Sequence, residues 1–214
     1  MIGTYTLLDT YKKCPHQAYR RYFTKDFPFK PTKASEWGNK VHEAMDRRCS
    51  ARQPLPLDMQ QWESFARPFD AHKVATEQKL AMDVNGHAVD YWDKNCWFRG
   101  KADLVIFDRE RAYIGDWKTG NSRYEDPFEL ATNAMLLKAN HPQLTQVGGC
   151  YLWLKDMRVG QYYDVSDFNA TWRTVHDLMT EMAGKKRPED WEKTKSPLCG
   201  YCPVADCEHW HEAR

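Results

Sequence analysis

Apolar residues follow helical spacing at the start of the chain, switch to strand-like runs in the middle, and return to helical spacing before a cysteine-rich tail. Thr6-Leu7-Leu8-Asp9-Thr10-Tyr11 predicts a short helix that Pro15 interrupts or restarts at a first-turn position, with Cys14 at the junction. A second helix is expected from Ala34 to about Gln53, with Ser35 as its cap, because Trp37, Val41, Ala44, Met45 and Arg48 fall near helical spacing. His42 lies in its middle. After Pro54 and Pro56, Leu57 to Phe69 reads as another short helix.

Val74 to Val84 is loosely strand-like and ends at the turn signal Asn85-Gly86. Residues 97 to 107 read as a buried strand, and the polar turn Asp108 to Arg111 leads into a second strand, Ala112 to Lys118. Asp126-Pro127 opens a helix to about Ala139, strands follow near Gln146 to Leu154 and Val159 to Val165, and a helix is expected from about Asp167 to Ala183. This order predicts an α/β or α+β sheet flanked by helices. Residues 185 to 214 have turn residues and cysteines but too little periodicity to fold alone.

At 214 residues and 42% hydrophobic content the chain is the size of one generous domain. A net charge of +1 excludes a uniformly basic protein, so a nucleic-acid site must come from local clustering. One cluster lies in residues 12 to 33, where Lys12, Lys13, Arg20, Arg21, Lys25, Lys30 and Lys33 face a single acid, Asp26, with Tyr19, Tyr22, Phe23, Phe27 and Phe29 interleaved. It reads equally as a solvated helix face or as a groove for a strand's backbone and bases. The opening residues do not read as a secretory leader, and no apolar run approaches the roughly 18 residues that span a bilayer. Reduced thiols, a cytoplasmic location and no membrane partner are therefore expected. No Gly-rich phosphate loop of the Walker type occurs, so the chain alone would not drive unwinding.

Asp116 and Lys118, two apart on one strand, project from the same face, and Trp117 points the other way. The short turn before this strand makes it antiparallel to its predecessor, which lets Asp103 approach Asp116. Two such carboxylates repel unless a cation lies between them, and hard oxygen ligands favour Mg or Mn. Such an ion, with Lys118 beside it, suits attack on a phosphodiester. The same spacing also occurs in ordinary hairpins with a surface ion pair, and a lone histidine on an amphipathic helix is more often a core or surface residue.

Cys199, Cys202 and Cys207 share the tail, and Cys14 can supply a fourth thiolate, because loop-closure entropy grows only logarithmically with length. Four thiolates suit zinc or an iron-sulfur cluster, and spacing alone slightly favours zinc. Cys49, Cys96 and Cys150 read as plain buried thiols, and His209 or His211 could replace one cysteine in a zinc site.

Taken together, Tyr5 to Phe23, Trp37-Gly-Asn-Lys-Val-His-Glu-Ala-Met45, Arg99-Gly-Lys-Ala-Asp-Leu-Val105, Ile114-Gly-Asp-Trp-Lys-Thr-Gly120 and Cys199-Gly-Tyr-Cys-Pro-Val-Ala-Asp-Cys207 resemble, in order, the RecB-like branch of the PD-(D/E)XK nucleases that carries an iron-sulfur cluster. The branch includes the CRISPR adaptation nuclease and stand-alone phage exonucleases. The resemblance implies a restriction-endonuclease-like α/β fold, with a central mixed β-sheet flanked by helices and with the N- and C-terminal segments joined by a metal cluster. It implies one nuclease domain over 1–214, in which 34–184 is the core and 1–33 and 185–214 bind the cluster. Of the site residues, His42, Asp103, Asp116 and the Trp117 backbone carbonyl would hold Mg or Mn, Lys118 would be the catalytic lysine, and Cys14, Cys199, Cys202 and Cys207 would hold a [4Fe-4S] cluster. The family's Gln-x-x-x-Tyr pair corresponds here to Glu129 and Asn133; Glu129 would either add a catalytic carboxylate or repel the DNA backbone. Glu77 falls where the family often has an acid, a weak candidate.

The expected activity is a metal-dependent DNA nuclease, acting as an exonuclease on single strands or DNA ends in a bacterial or phage-infected cell, with a helicase or recombination partner to expose the strands. The alternative is a non-catalytic, zinc-stabilised nucleic-acid-binding module.

Overall fold

A computed structural model of the chain describes residues 1–121 and 124–212; Ser122 and Arg123 of the expected core, and Ala213 and Arg214 of the expected tail, lie outside the described residues. In chain order the elements are α1 (Tyr5–Lys13), α2 (Pro15–Ala18), α3 (Lys33–Ala51), α4 (Glu63–Ala66), β1 (Val74–Met82), β2 (Phe98–Asp108), β3 (Arg111–Lys118), α5 (Pro127–Asn140), β4 (Gln146–Trp153), β5 (Arg158–Val159), β6 (Tyr163–Asp164) and α6 (Phe168–Gly184). Among the described residues no helix is long and apolar enough to cross a membrane. The chain divides into two compact units, one of Met1, Gly3–Pro31 and Thr174–Arg214, the other of Ile2 and Thr32–Arg173.

The larger unit is built on a six-stranded mixed sheet. β1, β2 and β3 form an antiparallel meander, β3 runs parallel to β4, and β5 and β6 each pair antiparallel with β4. A two-residue turn, with Arg109 in the left-handed region at φ 54°, joins β2 to β3. The parallel step needs a crossover, and α5 supplies it. On one face Leu104, Trp117 and Leu152 pack with Val41 and Met45 of α3 and with Trp62, and Phe65 and Phe69 meet the Trp117 ring edge-on. On the other face α5 lies so close that a Cβ at Gly100 would stand 2.9 Å from Leu136 and 3.0 Å from Asn133 Oδ1.

Three local expectations are modified. The cap of α3 is Thr32 rather than Ser35: Thr32 accepts the Ser35 N–H, and Ser35 returns the contact from the third helical position. The helix expected over Leu57 to Phe69 is two 3-10 stretches around the single turn of α4, because Pro68 has no N–H with which to continue it. The strand expected over Val159 to Val165 is split into β5 and β6, because the Gln161 N–H is drawn to Glu125 Oε2 instead of to the ladder.

In the smaller unit, α1 is capped by Thr4, and Cys14 ends it in extended backbone before Pro15 starts α2. A π-helical turn follows at Tyr19–Phe23. Its core is the buried Trp191, ringed by Tyr11, Tyr19 and Phe23 at centroid distances of 5.8, 5.2 and 4.6 Å.

α3 is tied to the segment after it by the buried Arg48. Its guanidinium bonds Glu63 Oε2 at 2.7 Å and grips both Asp70 carboxylate oxygens at 2.7 and 2.9 Å. Arg48→Ala is expected to destabilise the fold by about 2 kcal/mol, less than a fully buried pair because both acids are partly hydrated. Glu43→Ala, which breaks the exposed pair with Arg47, should shift the urea midpoint by less than about 0.5 kcal/mol equivalent.

Candidate functional site

The antiparallel register of β2 and β3 runs from Asp108↔Arg111 to Leu104↔Gly115, and Asp103 and Asp116 occupy the next positions on the two strands. There the Asp103 carboxylate takes over from the opposite strand: its Oδ2 accepts the Trp117 N–H at 3.0 Å. On the other side of β2, the pairs Thr76↔Leu104 and Gln78↔Ala102 leave Glu77 facing Asp103. Glu77 has a φ of 49°, a left-handed conformation that an ordinary side chain adopts at a cost and mid-strand only when its surroundings enforce it. Its carboxylate contacts Lys101 Nζ and stands 4.0 Å from His42 Nδ1.

His42 reaches the same point from α3, with Nδ1 3.3 Å from Asp103 Oδ1. One ligand atom from each of His42, Glu77 and Asp103 lies within 4.8 Å of the others, a group of a size to hold a metal ion. They line an open cavity of about 590 Å³ with Asp46, Lys101 and Thr119.

Asp116 and Lys118 share a face of β3, and Trp117 is buried on the other. Lys118 Nζ lies 2.7 Å from Asp116 Oδ2 and 2.9 Å from Glu129 Oε2 of α5. The Lys118 ammonium is the immediate neighbour of the buried Asp116 Oδ2. Glu129 is thus the partner of Lys118 and is not one of the three grouped ligands. Tyr151 of β4 completes this corner, its hydroxyl proton shared between the Asp126 carbonyl at 2.6 Å and Glu129 Oε2 at 3.1 Å.

Of the residues expected from sequence, His42, Asp103, Asp116 and Lys118 lie in this one region, and Trp117 joins it through its backbone. Glu77, given little weight from sequence, stands in the centre. Its signal was the register with Asp103, which a long connection between β1 and β2 conceals. Tyr151 carried no sequence signal, and Asn133 is buried beside Gly100.

In the smaller unit, Cys14, Cys199, Cys202 and Cys207 line one cavity of about 60 Å³, with His209 also on its wall. Backbone N–H groups of Thr194 and Ser196 point at Cys14 Sγ and Cys199 Sγ, at 3.5 and 3.4 Å. Burial and the neighbouring three thiols push the Cys202 thiol up. Cys49 and Cys96 are buried and Cys150 is partly so. The basic N-terminal segment is in part used internally: Arg20 is paired with Asp26 and Asp206, Lys13 with Asp9, and Tyr19 and Phe23 pack on Trp191, while Lys25 and Lys30 are exposed.

Burial pushes the Asp116 carboxyl well up, with Asp103 and Glu129 adding to the rise against the opposing pull of Lys118. Burial would lower His42, but the bond to Asp103 and the charges of Asp103, Asp116 and Glu77 outweigh it and hold His42 above 6.5. Asp116 and Glu129 likewise overcome burial and keep Lys118 protonated. Because His42 and Asp116 bind protons more tightly folded than unfolded, their stabilisation is full below the unfolded values and is lost as pH rises through the folded ones. The metal-free chain is therefore expected to lose melting temperature from about pH 4 up to about pH 8 through Asp116, with His42 adding to the loss from about pH 6.5 upward; Asp116→Asn should flatten the slope, most clearly between about pH 4 and 6.5, and added Mn or Mg should restore stability.

The PD-(D/E)XK nuclease superfamily model matches residues 57–207. The crystal structure of SSO0001 is similar to this chain at a TM-score of 0.47 and 16% identity, over 97% of this chain and 85% of that one. No match was found among curated proteins. With the family model spanning most of its length, this chain belongs to the PD-(D/E)XK nuclease superfamily, whose members are typically metal-dependent nucleases.

Proposed function

We propose that this chain is a divalent-metal-dependent deoxyribonuclease of the RecB-like branch, acting as an exonuclease on single strands or DNA ends. The observation that carries this reading is the convergence of His42, Glu77 and Asp103 within one ion's reach, beside Asp116 and Lys118. Hard carboxylate oxygens with one imidazole suit Mg or Mn as a donor set, and the adjacent buried carboxylates of Asp103 and Asp116 suit a cation between them. His42, Asp103, Asp116 and the Trp117 carbonyl would hold the ion, with Glu77 closing the far side. When bound, such an ion activates a water and offsets charge on the phosphoryl oxygens.

Lys118, kept protonated between Asp116 and Glu129, presents positive charge where the transition state gathers negative charge. Glu129 is the positioning residue for Lys118, and Tyr151 in turn holds Glu129. The chain acts as one nuclease domain, with 34–184 as the core and 1–33 and 185–214 as the cluster-binding segments. Its substrates are strands already exposed or opened by a helicase or recombination partner, and it works in the cytoplasm.

Cys14, Cys199, Cys202 and Cys207 would hold a structural [4Fe-4S] cluster. The four cysteines line one cavity, and the two N–H donors suit thiolate charge.

Asp116→Ala and Lys118→Ala are each expected to lower Mg- or Mn-dependent cutting of labelled DNA by about 10² to 10³ or more; unchanged cutting by both would show the site to be misassigned. Comparing strands blocked at the 5′ or the 3′ end reads exonuclease polarity. Protein purified without oxygen should absorb visible light and contain iron, and Cys199→Ala should lose both. Stoichiometric zinc with no iron, and no cutting, would instead establish the zinc-stabilised binding module.

A further inference from the structure

Toward the N-terminal end of β2 from Asp103 the surface changes character. Arg99 and Lys101 precede Asp103 at alternate positions, and Lys79 of β1 pairs directly with Lys101. Lys101 lines the cavity of His42, Glu77 and Asp103, so this strip begins at that cavity's wall. At its far end the loop residues Tyr91 and Trp92 stand edge to face, with ring centroids 5.0 Å apart. The Arg99 guanidinium lies 4.8 Å from the Tyr91 ring and 4.4 Å from the Trp92 ring, and its Nη1 donates to the Tyr91 carbonyl at 3.1 Å. Lys79 Nζ stands 6.0 Å from the Tyr91 ring. Trp92 remains 74% exposed, although a ring of that size is normally withdrawn from water unless it serves a contact.

We propose that Trp92, Tyr91, Arg99 and Lys79 form a platform that takes a single strand of DNA and leads it to the carboxylate cavity. Aromatic faces accept any base by stacking, and the interleaved Arg and Lys match a phosphate backbone. The guanidinium is already pinned between the two rings, so little ordering is needed on binding. The acids here are Asp90, Asp93 and Glu77. Asp93 accepts the Asn95 N–H at 2.6 Å and Glu77 contacts Lys101, so both are engaged locally, and Asp90 faces solvent.

Four residue steps along the strand separate Arg99 from Asp103, about 13 Å. That corresponds to at most about four nucleotides at the 3.4 Å rise of a duplex strand, and to fewer when the strand is stretched. A duplex held there as a rigid rod would not offer its base faces to Trp92, so the platform selects unpaired ends.

This rests on the nuclease reading of the neighbouring cavity, and binding and cutting are therefore measured separately. Anisotropy of labelled oligothymidylates of graded length, with the full chain and no added divalent metal, should show affinity rising steeply over the first few nucleotides. Trp92→Ala should weaken binding about 5- to 150-fold, the equivalent of one stacked base, and Trp92→Phe should recover most of it. Lys79→Ala should make the salt dependence shallower by about 0.7, one phosphate's share for a single strand. Unchanged affinity in Trp92→Ala would overturn the platform, as would an unchanged salt slope in Lys79→Ala or preferential binding of an RNA oligomer through Trp92. If the wild type binds through Trp92 yet never cuts DNA with Mg or Mn, the nuclease reading fails and the strand platform stands. Should it cut while Trp92→Ala binds as tightly as wild type, only the platform falls.

Discussion

The larger unit is organised around carboxylates that the backbone forces together. Asp103 stands between β1 and β3, facing Glu77 on one side and Asp116 on the other, at the point where the regular pairing of β2 lapses on both edges. Like charges so placed in a low-dielectric setting repel strongly, and Asp103 and Asp116 are only 6% and 7% exposed. The chain answers with cationic side chains and protons: Lys118 at Asp116, Lys101 at Glu77, and a histidine held toward its charged form at Asp103. The left-handed backbone at Glu77 is part of the same compromise, because it turns that carboxylate toward the others.

What keeps the cluster from dispersing is the packing behind it. On one face Trp117 and Leu104 anchor the two strands against α3, whose burial of Val41 and Met45 brings His42 to the cavity. On the other face α5 sits close over Gly100, which carries Glu129 to Lys118. Each polar side chain in the cavity is therefore neighbour to an apolar one that fixes its strand or helix. Rigid elements of this kind hold reactive groups more tightly than loops do. Arg48 extends the same logic outward by tying α3 to the segment that supplies Phe65 and Phe69.

The smaller unit is organised differently. Its buried Trp191 gathers aromatic residues from the N-terminal helices, and four thiols face a common cavity beside backbone N–H groups. A segment with so little apolar periodicity draws order from such a point of convergence rather than from an extended core. The same packing explains why the basic, aromatic segment from Lys12 to Lys33 is less open than its composition suggests: two of its rings, Tyr19 and Phe23, are occupied by Trp191 and Arg20 by two acids.

Local geometry was legible in the sequence. The two-residue period of a strand put Asp116 and Lys118 on one face and Trp117 on the other, and the tight turn at Asp108 to Arg111 made Asp103 their neighbour, since both follow from backbone dimensions within a few residues. The helix carrying His42 and the grouping of four cysteines were legible for the same kind of reason. The centrality of Glu77, the capture of Lys118 by Glu129 and Tyr151, and the split of the last strand by Glu125 were decided only in three dimensions. Each depends on register or contact between segments joined by long connections. Periodicity states which way a side chain points from its own element, but not which distant group it will meet.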